Sequence, residues 1–447
     1  MSRLPTPGSD SNTWGSILND YLSQSHNTDG TLKNSSVSAA QIQDASIPAS
    51  KMDTTAQANL TKASTSAQIT GGNTLTGTWD FSNTSVRLKP WQFCPDDYGA
   101  YGDGTHDDTA AVRAAWSAGI TYAQSHQNYF ELILSNKIYL LASPPTTANA
   151  GNAIISMPIV PTSGTKLIAV IRGGSEASVL PHWQQTVAQK AGPVLITNLT
   201  GLTVDATYGL PSVIGGPTPQ QGYGTGGTFN NMMIRVDGVT VVCPANPTLA
   251  AFDFRGMAEA SIGTVAALVN DVPSNLLNNA PTHSWSTGIF MPALLNYADQ
   301  PMESMTVEGY YYGYSLGPHV AAKRLFAAYC AYAFYIPASG SDKHGVSVLR
   351  AEAEECNTAL VTDGSAGPNT PVWMNLDCET INHYASVGTG YHINDANGAL
   401  GGTVFLNDSG GNQGTYLVNG GGNLEILAQN QPRGNVTPPV VPASTTA

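Results

Sequence analysis

The sequence predicts an all-β fold, a solenoid of short strands stacked in register. Three observations carry that expectation. Short apolar strands recur between about residues 92 and 430, and the clearest four begin at Val307, Leu325, Leu349 and Met374, spacings of 18, 24 and 25. Charged residues are only 11% of the 447, against roughly 25% in ordinary globular chains, while 46 glycines and 28 prolines supply turns. Finally, an amphipathic helix stands just before the first strands, where an open sheet edge needs cover.

Taken in order, residues 1–33 form a compact block. Asn12 or Thr13 can cap a helix over Trp14 to Leu22, which places Trp14, Ile17, Leu18, Tyr21 and Leu22 on one face. Asn27-Thr28-Asp29-Gly30 reads as a turn. A helix of about ten residues is marginal alone, so this face is expected to dock on another chain or a larger assembly. Residues 34–90 are rich in Ser, Ala, Thr and Gln, which makes them a flexible linker or a shaft whose core forms between chains; short strands are expected around Leu75, Trp79 and Phe81. Residues 91–430 carry the repeats, and residues 431–447 are a Pro- and Thr-rich tail.

The repeats open with the turn-rich run Asp96 to Thr109. A helix is expected from Asp108 to about Tyr122, capped by Asp107, with Ala111, Val112, Ala115, Trp116 and Ile120 on one face. Strands follow around Leu132-Ile133-Leu134 and Lys137-Ile138-Tyr139-Leu140. In the four clearest strands, side chains alternate between two faces. One parity is Val307/Gly309/Tyr311, Leu325/Ala327/Tyr329, Leu349/Ala351/Ala353 and Met374/Leu376/Cys378, mostly apolar and expected inside. The other is Glu308/Tyr310/Tyr312, Phe326/Ala328/Cys330, Arg350/Glu352/Glu354 and Asn375/Asp377/Glu379, expected outside. A period near 25 makes this a solenoid and not a globular α/β sheet.

Several functions are disfavoured. The net charge of −13 and the absence of a Lys/Arg cluster exclude nucleic acid as an expected partner. Cys94, Cys243, Cys330, Cys356 and Cys378 show no CxxC pair and are expected to be buried thiols of a chain folded in a reducing compartment. The start MSRLPTPGSDSNTWG lacks the apolar core of a secretory signal, and no run of 18 apolar residues occurs, so a soluble protein made in a cytosol, without membrane insertion, is expected. No P-loop, nucleophile elbow, HExxH or dinucleotide fingerprint occurs.

Two segments carry a resemblance. DYGAYGDGTHDDTAAVRAAWSA, Asp97 to Ala118, resembles the opening of the pectate-lyase superfamily of right-handed parallel β-helices, an opening common in phage tailspikes and polysaccharide-degrading enzymes. There Gly99, Gly102, Asp103, Gly104, Asp107, Asp108 and Thr109 would be a structural cap motif. Leu4-Pro5-Thr6-Pro7-Gly8, Thr13-Trp14-Gly15, Leu18-Asn19 and Ser25 to Lys33 look like the N-terminal segment of phage minor tail proteins, particularly those infecting actinobacteria. Together they imply a tail fibre in the virion, a homotrimer attached to other tail or baseplate proteins through Trp14, Ile17, Leu18 and Tyr21. Its single-stranded β-helix would bind, and sometimes cleave, a host surface polysaccharide or glycolipid.

An offset of 25 puts Glu352 beside Asp377 and Glu354 beside Glu379 on neighbouring rungs. Rungs lie roughly 4.8 Å apart, so four such carboxylates repel, and at least one is expected to have a raised pKa unless Arg350 or a cation compensates. Glycoside hydrolysis uses two carboxyl groups about 5 to 9.5 Å apart, which makes Glu352, Glu354, Asp377 and Glu379 the candidate catalytic set. Glu308, Tyr310, Tyr312, Phe326 and Arg350 are the candidate glycan-binding set, since flat rings suit sugars. A solvated face or an intersubunit salt-bridge surface is the alternative. No Asp trio matches the pectate-lyase metal site, and no cofactor or metal is expected. His344, His383 and His392 are expected in turns or at the surface. Three functions remain open on one scaffold: adhesion, depolymerisation, and a purely structural tail-tip part.

Overall fold

The computed structural model describes residues 3–34, 53–55 and 89–429, the last with breaks at 127, 147–151, 159, 161–165, 174–191, 206–208, 217–230, 272, 292–299, 338–344, 363–369, 397, 410–417 and 421–422. The strands expected around Leu75, Trp79 and Phe81, His344, and the tail 431–447 lie outside the described residues. The chain divides into two compact units, residues 1–80 and 81–447.

In the first unit a helix spans Trp14–Leu22, on the residues the spacing picked. Thr13 holds the cap position without a side-chain hydrogen bond. No helix residue is buried, and Trp14 is 50% and Tyr21 41% exposed. The turn after it closes by Asn27 N–H donating to Thr31 O at 2.7 Å. Thr31 N–H donates to the Asp29 carboxylate at 2.9 Å.

The second unit is mostly β, and every pairing between its named strands is parallel, an arrangement compatible with a parallel β-helix. Among the described residues the strands form a 15-stranded and a nine-stranded sheet, and from Val239–Pro244 onward the chain alternates between them. From Gln300–Glu308 it crosses to Tyr312–Ser315, returns as Val320–Ala328, and crosses again as Tyr332–Ile336. Val346–Glu354, Thr358–Thr362 and Thr370–Glu379 continue the alternation. Met305, Leu325, Ala351, Leu376 and Leu406 stack in register as one buried column. A second buried column in the smaller sheet runs Phe252, Ile289, Tyr314, Phe334, Leu360 and Ile393. Burying such side chains stabilises by roughly 1.5–3 kcal/mol each, the main favourable contribution to a chain this poor in charge.

The corner between the sheets has a fixed conformation. Gly309, Tyr329, Glu355 and Thr380, one per turn of chain, all adopt positive φ, at 80°, 55°, 51° and 55°. The N–H of Gly309 donates to Ala328 O, that of Tyr329 to Glu354 O, and that of Glu355 to Glu379 O, at 3.0, 3.1 and 2.9 Å. These bonds satisfy the backbone where it bends. Three of the four residues are not glycine, so the corner stores strain of about 1–3 kcal/mol each.

Near the start of this unit a helix spans Thr109–Ser125 and buries Ala111, Val112, Ala115 and Trp116 of the expected face, with Ile120 half-buried. The Trp116 indole N–H donates to Ser156 O at 2.9 Å, and its ring lies 4.9 Å from that of Phe130. Gly119 permits this approach, since a Cβ there would sit 2.1 Å from the Phe130 ring. The helix begins one residue later than expected, with Asp108 and not Asp107 at the cap position. The reason is a division of labour between the two carboxylates. Asp107 accepts from Thr109 N–H at 3.0 Å, Ala142 N–H at 3.1 Å and the Ser143 hydroxyl at 2.8 Å. Asp108 accepts from the N–H groups of Tyr101 and Gly102, at 2.7 and 3.0 Å. Gly99, Gly102 and Gly104 have φ of 91°, 65° and 74°, and the Asp103 carboxylate accepts from the N–H groups of Thr105 and His106 at 2.9 and 3.0 Å.

Strict alternation fails at several places, among them Ala328 and Cys330, expected outside but buried where the chain rounds the corner at Tyr329. Leu349, expected inside, is 57% exposed because Leu349 and Arg350 both turn outward, as Lys323 and Arg324 do one rung earlier. The register with Thr370–Glu379 slips there, between Val348 and Ala351, so the extra residue is a β-bulge. Tyr310, expected outside, is fully buried, because the bend at Gly309 reverses the parity of the residues after it. Glu308, also expected outside, is only 5% exposed. All five cysteines are buried free thiols.

Candidate functional site

The outer face of the larger sheet gathers most of the expected site residues. Register places Phe326, Glu352, Asp377 and Asn407 side by side, and Glu354 beside Glu379. Strand spacing makes each step roughly 4.8 Å. The Arg350 guanidinium lies 3.5 Å from the Glu352 carboxylate. Burial, followed by the charges of Glu379, Glu352 and Glu355, pushes Glu354 up to about 6. Glu355 is also raised, first by burial and then by Glu379, against the opposing pull of His383, whose Nδ1 is 2.7 Å away.

Asp377 is held differently. One of its oxygens, Oδ1, accepts from Asn407 Nδ2 at 3.1 Å and from the Ser409 hydroxyl at 3.0 Å. Beside it an open hollow of about 340 Å³ is lined by Arg350, Asn375, Leu376, Asp377, Phe405 and Asn407. Asn375 Nδ2 donates to the bulged Leu349 carbonyl at 2.8 Å, which fixes the amide on that wall.

The remaining expected residues go elsewhere. Glu308 and Tyr310 are buried, and Tyr312 belongs to the smaller sheet. There it packs with Tyr311, Tyr332 and Tyr335 at centroid distances of 5.0, 5.4 and 4.7 Å. His383 lies in the turn after the Thr370–Glu379 strand and contacts Leu277 O at 2.6 Å. His392, expected at a turn or surface, is buried beside Asp408 at 3.5 Å, because it faces the interior next to Ile393. Spacing alone did not find Phe405 and Asn407, since their strand follows at an offset of 30 where the period predicts about 25. Among the described residues no group of three or more His, Cys, Asp or Glu is arranged to hold a metal ion. No helix among them is long and apolar enough to cross a membrane.

No family model matches the chain, and no curated protein does. Among solved structures it is similar to ORF18 of Geobacillus virus E2, with TM-score 0.30 and 12% identity over 76% of this chain and 62% of that one. The chain thus spans less than two thirds of the viral protein. It is also similar to the A-module of the mannuronan C-5 epimerase AlgE6 of Azotobacter vinelandii, with TM-score 0.27 and 10% identity over 76% of this chain and 100% of the module. A third is PfbA, a surface adhesin of Streptococcus pneumoniae, with TM-score 0.24 and 13% identity over 76% and 92%.

Proposed function

We propose that this protein is a phage tail fibre or minor tail protein whose strand stack recognises a host surface glycan during adsorption. The observation that carries the binding role is the open hollow between Arg350, Asn375, Asp377 and Asn407, edged by Phe405. Planar polar groups on rigid strands beside an aromatic edge are what sugar hydroxyls and ring faces require. The tail location rests on the N-terminal resemblance and on the uncovered face of the Trp14–Leu22 helix.

In this reading residues 1–33 attach to other tail or baseplate proteins. Residues 34–90 form a shaft in a homotrimer, and residues 91–430 form a right-handed β-helix whose first rungs the Thr109–Ser125 helix covers. Incubation with host-envelope polysaccharide tests it. Retention without new reducing ends or unsaturated uronates supports adhesion, and no retention contradicts it.

One observation favours depolymerisation as a second reading. A carboxyl raised to about 6, as Glu354 is, keeps a protonated fraction near neutrality and can serve as a general acid beside an ionised partner. New reducing ends that disappear in Glu354→Gln, with binding retained, would establish it.

A further inference from the structure

A second hollow, of about 330 Å³, adjoins the first on the same three strands. Its lining includes Gly345, Ser347, Pro371, Trp373, Gly402 and Thr403. Trp373 is 44% exposed and stands between the two hollows, its ring 6.0 Å from that of Phe405 and nearly perpendicular, at 72°. Directly beside it the neighbouring strands present small groups, Ser347 and Thr403 in register with Trp373 and Gly345 and Gly402 nearby, so the flank of the indole away from Phe405 stays open. Gly402 is fixed there. It has φ +89°, and a Cβ would lie 2.2 Å from Val372 O.

The two hollows differ in chemistry. Trp373 and Pro371 offer an apolar platform. Four residues further along the same strand, about 13 Å at strand rise, Asp377 and its neighbours offer hydrogen bonds. Asp377 Oδ1 is occupied by Asn407 and Ser409, while its Oδ2 has no partner among the described residues. Asn375 commits its Nδ2 to Leu349 O and keeps Oδ1 as an acceptor. Arg350, the one cation of the lining, is 60% exposed and donates. Acceptors beside a donor match a vicinal diol, whose hydroxyls both give and take. Charge points the same way. Glu352, Glu354, Asp377 and Glu379 flank the hollow, and Arg350 already lies near Glu352. A carboxylated or phosphorylated sugar would meet like charge here.

We propose that the outer face binds a neutral saccharide chain lying along the strands, with one unit stacked on Trp373 and another held through vicinal hydroxyls by Asp377, Asn375 and Arg350. This rests on the glycan-binding reading and adds the ligand class and its direction. A single sugar cannot span both hollows, so affinity rises with chain length.

The test is an array of neutral and acidic bacterial surface oligosaccharides, graded from one to six units, probed with the full chain. The expected result is capture of neutral chains of three or more units, unaffected by salt. Trp373→Ala and Asp377→Asn should each weaken that capture by about tenfold, and urea midpoints confirm that both variants remain folded. Preference for acidic glycans, lost as salt rises, would overturn the ligand class while leaving glycan binding intact. Neutral capture unchanged in Trp373→Ala would overturn the direction. Capture of nothing on the array would overturn the binding role itself.

Discussion

Two tryptophan-bearing helices among the described residues start from similar amphipathic patterns and meet opposite surroundings. Trp14, on the first, is 50% exposed and its helix buries nothing. Trp116, on the second, is 2% exposed, donates to Ser156 O and abuts Phe130. Short helices draw their stability from packing more than from propensity. The second helix has its packing within the chain, whereas the first buries Ile17 and Leu18 only in part and leaves Trp14, Tyr21 and Leu22 exposed. The difference separates a residue that holds the fold from one available to a partner.

The largest expected effect bears directly on that contrast. Trp116→Ala should cost about 3–5 kcal/mol in urea unfolding of the stack, whereas Trp14→Ala should stay within about 0.5 kcal/mol. Under the proposed tail attachment, the ranking inverts in phage particles, with Trp14→Ala folding normally yet failing to be incorporated. Equal costs of unfolding would erase the distinction.

A smaller effect concerns the corner that repeats through the stack. Gly309→Ala should destabilise by about 2 kcal/mol, because positive φ strains alanine and its Cβ would lie 2.3 Å from Val269. Thr380→Gly, at φ 55°, should instead stabilise by about 1 kcal/mol by releasing strain. Thermal or urea midpoints for the pair decide it, and a shared sign would show that the corner is not the strained element.

The smallest effect is in pH. Burial and its acidic neighbours raise Glu354 to about 6 in the folded chain, above the ordinary glutamate value of 4.5, so the fold favours its protonated form. The stability it contributes is therefore full below the unfolded value and is lost as pH rises through about 6. The urea midpoint of the stack should be higher near pH 5 than near pH 7, and Glu354→Gln should flatten the difference. Asp10 in the first unit, drawn down to about 2 by Arg3 at 2.6 Å, titrates far outside that window.

Much of the fold is legible in the sequence, for identifiable reasons. The pairing of Glu352 with Asp377 and of Glu354 with Glu379 comes from an offset of 25, which the strands keep from Ala351 onward. The first helix falls on its expected residues because its apolar spacing is helical throughout. Leu349 escapes because a bulge adds a residue without a turn signal, and Tyr310 because Gly309 reads as strand when it is the bend. Phe405 and Asn407 escape because the intervening loop lengthens the offset to 30. Strand periodicity fixes what repeats, while bulges and loop lengths decide which side chains meet on the outer face.

The most direct test of that face uses the buried cysteines. All five native thiols are buried, so Ser347→Cys, at an exposed position lining the second hollow, supplies the readily reactive thiol for a bulky maleimide polymer. The same label on Asp20→Cys in the first unit serves as the control. Labelling at 347 should abolish retention on host-envelope glycan while labelling at 20 leaves it unchanged. Undiminished retention with the 347 label in place would contradict a binding role for this face.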